Sequence, residues 1–405
     1  MVGVRGSLRT AMMAAALSAV TALPATAAAE PLLPSSPIGA LTYTVRVNKP
    51  EGGPGYIYYT TGLSAAAVVP GLSRILSDVP VARPANVVLD KSGRELWRYD
   101  PPAGQDVSNF RAQTYQGERV LTWWQGTSQS GHGAGVDYIA DEHGHVIRTL
   151  TPGDGLDADV HEFRLTPDGR ALITSYRRQT ADLTAIGGPA NGTMLDAIAS
   201  VVDVATGRVL FRWSAAEHVP LADTTEPDTL SGGGDYDPYH MNSISLDPRG
   251  NLLISLRNTS AVYDVDIRSG AIDWQLGGKH STLDLGPGIE FAYQHDAEFA
   301  DADTVRLFDN NSSGSHTLGH SSVEWIRVDP REHRATLVRN QPHPDGLVAF
   351  AMGDAQGLDN GDTFVGWGMA PHISEFSPAG DLVYDAALPM GTYRAYLEDW
   401  VPTSD

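Results

Sequence analysis

Three histidines stand at one place in a repeating strand pattern. His161, His240 and His295 each open a strand, and each strand reaches a turn seven to ten residues later. The turns are Pro167-Asp168-Gly169, Pro248-Arg249-Gly250 and Ala302-Asp303. Equivalent positions in repeats set in a ring converge on its axis. Arg257 closes the hairpin of the second histidine. Three imidazoles and a guanidinium in one place suit transfer of an anionic group. A neutral imidazole attacks a sulfur or phosphorus centre and carries the group covalently. Arginine and neighbouring imidazoles bind the equatorial oxygens, where charge is held in the transition state. Another imidazole protonates the leaving oxygen and later takes a proton from an acceptor hydroxyl. Positive neighbours lower the nucleophile's pKa and keep it neutral near pH 7.

Hairpin counting adds neighbours to these groups. With the turn centred near Gly250, Arg257 falls across from Asn242 and diagonal to His240. Asn242, two residues after His240, shares its face of the strand. The same count sets Tyr176 opposite His161, Asp309 or Asn310 opposite His295, and Trp124 opposite Asn109. A focused positive pocket with an aromatic rim results.

The elements that must position these groups are hairpins of two kinds. An outer kind is centred at Gly93, Gly144, Gly207, Gly270, His333 and Gly380, at spacings of 51, 63, 63, 63 and 47 residues. A second kind precedes all but the first, around Gly117, Gly169, Gly250, Ala302 and Gly361. Two hairpins make four strands, and six copies at this spacing match propeller blades with long loops. The first blade lacks an inner hairpin. Tyr56–Thr60 and the C-terminal Tyr393–Leu397 complete it together and close the ring, which removes the sheet edges. The chain has no long segment of helical period. Ser64–Leu76 is the best short-helix candidate, and Pro70-Gly71 interrupts it. The reading is an all-β chain: a six-bladed β-propeller of four-stranded antiparallel blades around a central channel. It spans residues 55–405, with residues 30–54 as a lead-in segment.

Blander roles compete at each position. A lone histidine in a propeller strand is more often structural, and Arg257 has Asp237 or Asp309 as possible ion-pair partners. Trp97, Trp213 and Trp274 read as packing between blades, while Trp124 and Trp367 are open between core and rim. The other ten histidines, His143, His145 and His316 among them, fall mainly in turns and read as solvent-exposed.

Composition narrows the class. Gly (42) and Pro (26) are abundant and charged residues make up 19%, which suits a turn-rich β protein. Residues 1–29 read as a secretory signal, with Arg5 and Arg9, an apolar run from Ala11 to Val20, and small residues at Ala25–Ala29. The apolar run is too short to span a membrane. Cleavage removes Arg5 and Arg9 and takes the formal charge from −21 to −23. So acidic a surface argues against nucleic acid and anionic membranes as partners. There is no cysteine, hence no disulfide and no thiol chemistry. Asn191, Asn258 and Asn311 begin glycosylation-type triplets, useful only to a eukaryotic secretory host.

At the residues of the pocket the chain resembles the arylsulfate sulfotransferase family, the PAPS-independent aryl sulfotransferases. The resemblance spans roughly residues 85–400. It rests on FRAQTYQGERVLTWW, DVHEFRLTPDGRALITSY, YHMNSISLDPRGNLLISLRNT, WQLGGK, FAYQHDAEF, LFDN and GWGMAPHISEF taken together. It implies a six-bladed propeller that moves a sulfuryl group from a phenolic sulfate ester to another phenol by a ping-pong route. It also implies a sulfohistidine at His295, with His161 and His240 as the other active-site histidines. Arg257 matches the oxyanion-binding arginine and Asn242 the nearby asparagine. Trp124, Tyr239 and His372 are expected at an aromatic-binding rim. The implied partners are a small aryl sulfate donor and a phenolic acceptor, with no cofactor and no metal. An exported enzyme lacks a supply of PAPS, and the chain has no P-loop motif. Secretion and a diffusible sulfate donor therefore fit each other. Enteric members carry an added N-terminal β-domain and a disulfide that this sequence does not show, which leaves the oligomeric arrangement and the walls of the acceptor site open.

Two other classes compete. One is a metalloenzyme with His161, His240 and His295 as a facial trio, against which the neighbouring Arg257 argues. The other is a propeller that binds an anionic aryl ligand without turning it over. A Ca²⁺ lactonase and a quinoprotein fit less well, because the axis is rich in histidine rather than carboxylate and the chain has no cysteine.

Overall fold

The computed structural model describes residues 43–62, 83–226, 235–313 and 316–403. The signal-like segment, most of the lead-in and the Ser64–Leu76 helix candidate lie outside these residues. Short strands of alternating pattern, separated by turns, pair mostly with their neighbours in sequence, and the two ends of the chain add the exceptions. The result is a six-bladed β-propeller.

Blade 1 orders Ala395–Glu398, Tyr56–Thr61, Ala85–Asp90 and Glu95–Tyr99 from the axis outward. The C-terminal strand is thus the innermost strand of the first blade, and Tyr56 to Tyr59 pair with Glu398 to Ala395. Blade 2 runs Asp106–Tyr115, Glu118–Gln129, His132–Ala140 and Val146–Leu150. Blade 3 runs Phe163–Leu165, Arg170–Ala181, Gly192–Asp203 and Val209–Ser214. Blade 4 runs Met241–Leu246, Leu252–Leu256, Ala261–Val265 and Ile272–Gly277. Blade 5 runs His295–Phe299, Thr304–Asp309, Ser322–Asp329 and Arg334–Pro342, and blade 6 Asp354–Gly357, Thr363–Gly366, His372–Phe376 and Leu382–Ala387.

The outer hairpins owe their shape to one turn chemistry. In blades 1 to 5 an aspartate ends the strand and its carboxylate accepts main-chain N–H groups two or three residues on, as Asp90 does from Ser92 at 2.9 Å and Asp203 from Thr206 at 2.8 Å, while Ser377 stands at this place in blade 6. The chain then needs a left-handed residue. Gly93, with φ of 87°, supplies it without strain, whereas His333 holds φ of 49° at the same place in blade 5.

The described part of the lead-in, from Tyr43 on, joins the propeller. Thr44–Asn48 pairs with Leu382–Ala387 and adds a fifth strand to the outside of blade 6. Tyr43 packs beside this strand and hydrogen-bonds the Tyr384 hydroxyl. Trp97, Trp213 and Trp274 are buried as the sequence predicts, Trp97 stacking on Phe110 of blade 2 with centroids 5.4 Å apart. Asn258 is also buried, and its amide donates to the Asp237 carbonyl at 2.8 Å. That triplet is closed to glycosylation in the folded chain.

Candidate active site

The starts of the inner strands depart from ideal pairing. The ladders shift between Ser108 and Arg111, Met241 and Ser243, and His295 and Glu298. Bulges of this kind re-aim side chains. Asn109, His240, Asp296 and Met352 all take φ between 50° and 65° there, a region that non-glycine residues enter at a cost and mostly at functional sites.

The bulge corrects the hairpin count. Arg257 N–H donates to the His240 carbonyl at 3.0 Å, so Arg257 lies across from His240 and not from Asn242. Asn242 sits in the bulge, where its amide donates to the Gln294 carbonyl at 2.7 Å and steadies the segment before His295. In blade 2 the partner of Trp124 is Ser108, one residue from the expected Asn109.

His161, His240, His295 and Arg257 line one narrow cavity, together with Val160, Met352 and Tyr393. The His161 and His240 rings meet edge-on at 4.7 Å between centroids, and Tyr393 lies 5.5 Å from His161 and 6.4 Å from His295. Each imidazole is held through Nδ1. His161 Nδ1 bonds the Asp159 carboxylate. His240 Nδ1 lies 2.5 Å from Asp237 Oδ2. His295 Nδ1 lies 2.6 Å from Asn310 Oδ1 and 2.9 Å from the Tyr293 carbonyl. His295 Nε2 accepts the Met352 main-chain N–H at 3.2 Å. An acceptor at Nε2 and a donor at Nδ1 define one neutral tautomer of His295, with its lone pair on Nε2.

Electrostatics act the same way. Burial and then Arg257 push His295 well below the ordinary histidine range. His240 is also pushed well below it by burial and Arg257, against the pull of Asp237. Arg257 itself is oriented by Asn258, whose Oδ1 accepts from Nε at 2.9 Å, and by stacking over the Tyr293 ring at 4.6 Å. It makes no ion pair among the described residues, neither with Asp237 nor with Asp309. A half-buried guanidinium with unclaimed donors beside three imidazoles is a site for an anion.

Behind the cavity the channel is closed by charge. Arg394 and Arg111 hold Glu162 at 2.9 and 2.8 Å, all three buried. Burial would raise the Glu162 carboxyl, but Arg394 and Arg111 bring it down to about 2. A second, wider cavity opens beyond this network, lined by Arg111, Arg164, Asp296 and Glu298.

A family model described as Arylsulfotransferase (ASST) matches residues 111–388 of this chain. The chain belongs to the arylsulfotransferase family. The match takes in the three histidines, Arg257 and Asn242. Membership supports aryl sulfotransferase activity. No curated protein sequence matches the chain.

Among solved structures, a protein of unknown function from Bacteroides caccae is similar at 14% identity and a TM-score of 0.51, over 86% of this chain and all of that one. A periplasmic gluconolactonase from Pseudomonas aeruginosa matches at 10% identity and a TM-score of 0.43, over 85% of this chain and 99% of its own. A virginiamycin B lyase from Staphylococcus aureus matches at 10% and 0.41, over 87% and 98%. The first of these is a likeness of fold alone.

The arylsulfotransferase fold does not bring every expected residue to the cavity. Trp124 is 1% exposed and its indole N–H donates to the Ala158 carbonyl at 2.7 Å, so it packs behind the wall formed by Val160. Tyr239 is buried between blades 3 and 4, its hydroxyl donating to the Val219 carbonyl at 2.8 Å. His372 lies in an outer strand of blade 6 with His343, both 3.3–3.4 Å from Asp385 Oδ1. His343 Nδ1 accepts the Asp345 N–H, so its proton is on Nε2, and this trio is a hydrogen-bonded lock rather than a ligand set. Rim positions are taken instead by Tyr393, Met352 and Val160, which give the cavity its apolar walls.

The fourth histidine of the site was not legible in the same pattern. His132 has its ring 5.0 Å from His240 and 6.4 Å from His161. Its Nε2 lies 3.1 Å from Asp237 Oδ2, the oxygen that also takes His240 Nδ1. It follows the turn residues Ser130 and Gly131, both with positive φ, in a long hairpin between Glu118–Gln129 and His132–Ala140. The signal was present: Ser-Gly between two alternating runs marks a two-residue turn.

The metal alternatives do not fit this geometry. Among the described residues, His161, His240 and His295 do not gather their nitrogens as one ligand set, whereas His132, Asp237 and His240 do. Yet the 2.5 Å between His240 Nδ1 and Asp237 Oδ2 is too short for two ligands of one ion, each about 2.0–2.2 Å from it. At this spacing His240 Nδ1 and Asp237 Oδ2 form a hydrogen bond.

Proposed function

We propose that this protein moves a sulfuryl group from an aryl sulfate to a phenolic acceptor by a ping-pong route, with His295 Nε2 as the covalent carrier. The observation that carries the reading is Arg257. It is an oriented guanidinium without an acidic partner among the described residues, at a cavity where His295 keeps a lone pair on Nε2.

In the first half-reaction Nε2 forms the N–S bond as the S–O bond to the aryl group breaks. The leaving phenolate takes up a proton at the pair His161 and His240, whose Nδ1 atoms are backed by the Asp159 and Asp237 carboxylates. Arg257 carries the charge of the sulfuryl oxygens through the transition state. The Met352 N–H must leave Nε2 as sulfur arrives and is then free to donate to a sulfuryl oxygen. In the second half-reaction an acceptor phenol gives its proton to the same pair, its oxygen attacks sulfur, and the N–S bond breaks. The cavity, about 30 Å³, has room for a sulfuryl group. Ligand pockets for whole drug-sized molecules are about 300 Å³ or more, so the aryl ring stays at the mouth against Tyr393 and Met352. With a leader at residues 1–29, the donor is a diffusible sulfate ester met outside the cytoplasm.

The test is turnover of a chromogenic aryl sulfate with added phenol, together with peptide mass analysis of the protein mixed with donor alone. A sulfuryl adduct on the peptide holding His295, lost in His295→Ala, is the expected result. A stable adduct on another peptide would overturn the carrier assignment. Tight aryl sulfate binding without phenol release would make the protein a binding module.

A further inference from the structure

We propose that His132 is a positioning residue of the transfer site: it shares the Asp237 carboxylate with His240 and thereby sets the proton affinity of the imidazole that handles the phenol proton. This rests on the sulfuryl-transfer reading above and deepens it.

The geometry is specific. Asp237 Oδ2 receives His240 Nδ1 at 2.5 Å and His132 Nε2 at 3.1 Å. Asp237 Oδ1 is fixed by the main-chain N–H of His240 at 2.9 Å. The carboxylate cannot turn away from either ring. His132 is held on its other side by Tyr176, edge-on at 4.3 Å, whose hydroxyl donates to the Met241 carbonyl at 3.0 Å. The contact crosses the ring, since His132 belongs to blade 2 and Asp237 and His240 to the entry of blade 4. His132 stands at the turn end of the hairpin Glu118–Ala140, directly after Gly131, and this places its ring beside Asp237. His132 Nδ1 is buried and finds no hydrogen-bond partner.

One carboxylate between two imidazoles makes their protonation interdependent. Burial pushes both rings toward the neutral form. Asp237 overrides it for His132, which is raised, while Arg257 adds to it for His240, which is lowered. The charged and titratable groups facing the pair are Asp237, Arg257, His161 with Asp159, and Tyr176. A charged His132 draws on the attraction of Asp237 and repels a proton from His240. Take it away and Asp237 serves His240 alone, so His240 binds its proton more tightly.

The experiment uses the full chain with His132→Gln, which keeps a neutral N–H donor, and His132→Phe, which keeps the ring against Tyr176. Both should move the limb of the kcat/KM profile that tracks His240 upward by about one pH unit, with the same direction in each. His240 itself is followed by NMR titration of histidine-labelled protein, its signal assigned by loss in His240→Gln, and should shift upward in step. An unmoved titration and profile in a folded variant overturns the role of His132, even if kcat falls. Absence of turnover in the parent protein would instead overturn the sulfuryl-transfer reading, and the NMR titration would still decide the coupling.

Discussion

Asn310 Oδ1 takes the Nδ1 proton of His295 at 2.6 Å, and the same carboxamide donates to the carbonyls of Ala349 and Met352 at 2.9 Å each. With the Tyr293 carbonyl, 2.9 Å from the same nitrogen, this buried side chain sets the tautomer of the proposed nucleophile, and it anchors the loop whose Met352 N–H rests on the other nitrogen. Asn310→Ala should lower kcat by about 10²-fold or more, as loss of the correct tautomer does in other imidazole catalysts. It should also cost about 1–3 kcal/mol, since two carbonyls lose their donor. Steady-state turnover and urea unfolding measure the two effects. Unchanged kcat would mean that the tautomer is set elsewhere.

Arg257 is oriented by Asn258 and Tyr293 rather than by a carboxylate. Arg257→Lys keeps the charge but neither the fork nor the stacking plane. kcat/KM should fall by about 10²-fold or more in Lys and further in Gln, with little change in Tm. Retention of full kcat/KM in Arg257→Gln would remove the oxyanion role.

Burial and Arg257 favour the neutral form of His295, so folding lowers its proton affinity. The nucleophile is therefore available at pH values below the ordinary histidine range. The acidic limb of the kcat/KM profile should lie below about pH 6.5. A profile that loses activity as pH falls from 8 to 7 speaks against a depressed His295.

Arg394 closes the channel by holding Glu162. Arg394→Leu leaves a fully buried carboxylate with half of its pairing, and should destabilise the protein by about 3–5 kcal/mol. Chemical denaturation at pH 7 checks this. A loss of under one kcal/mol would show that Arg111 alone suffices.

Two carboxyls in blade 5 set a pH dependence of the opposite kind. Burial raises Asp309 to about 7, and burial with the nearby Asp309 raises Glu324 to about 8. Both are raised above their unfolded values near 4. The folded chain then holds protons that the unfolded chain has released, and stability falls as pH rises from about 4 through 7–8. Tm should drop between pH 5 and pH 8. Asp309→Asn and Glu324→Gln should flatten that drop, and a slope unchanged in both would locate its cause in other groups.

Much of this molecule was legible in the chain itself. Turns that open on an aspartate or serine and reach a left-handed residue three or four positions on recur at blade spacing, each encoding a hairpin through local hydrogen bonds, so blade number and ring closure follow from sequence. Histidines at equal places in equal repeats meet at the axis for the same reason, and His161, His240, His295 and Arg257 line one cavity there. Those local rules do not reach contacts made between blades. Whether an aromatic or histidine at an inner-strand end points to the cavity depends on bulges of a single residue, and Trp124, Tyr239 and His372 went to the interior instead. The bulge at Asn242 likewise moved Arg257 opposite His240. His132 meets Asp237 because it stands at the turn end of a blade 2 hairpin that extends to the entry of blade 4, and the lead-in strand Thr44–Asn48 joins blade 6 from the other end of the chain. The sequence by itself determined the repeat and the chemistry at its axis; only the tertiary structure decided which carboxylate each imidazole shares, because that depends on distances between segments far apart along the chain.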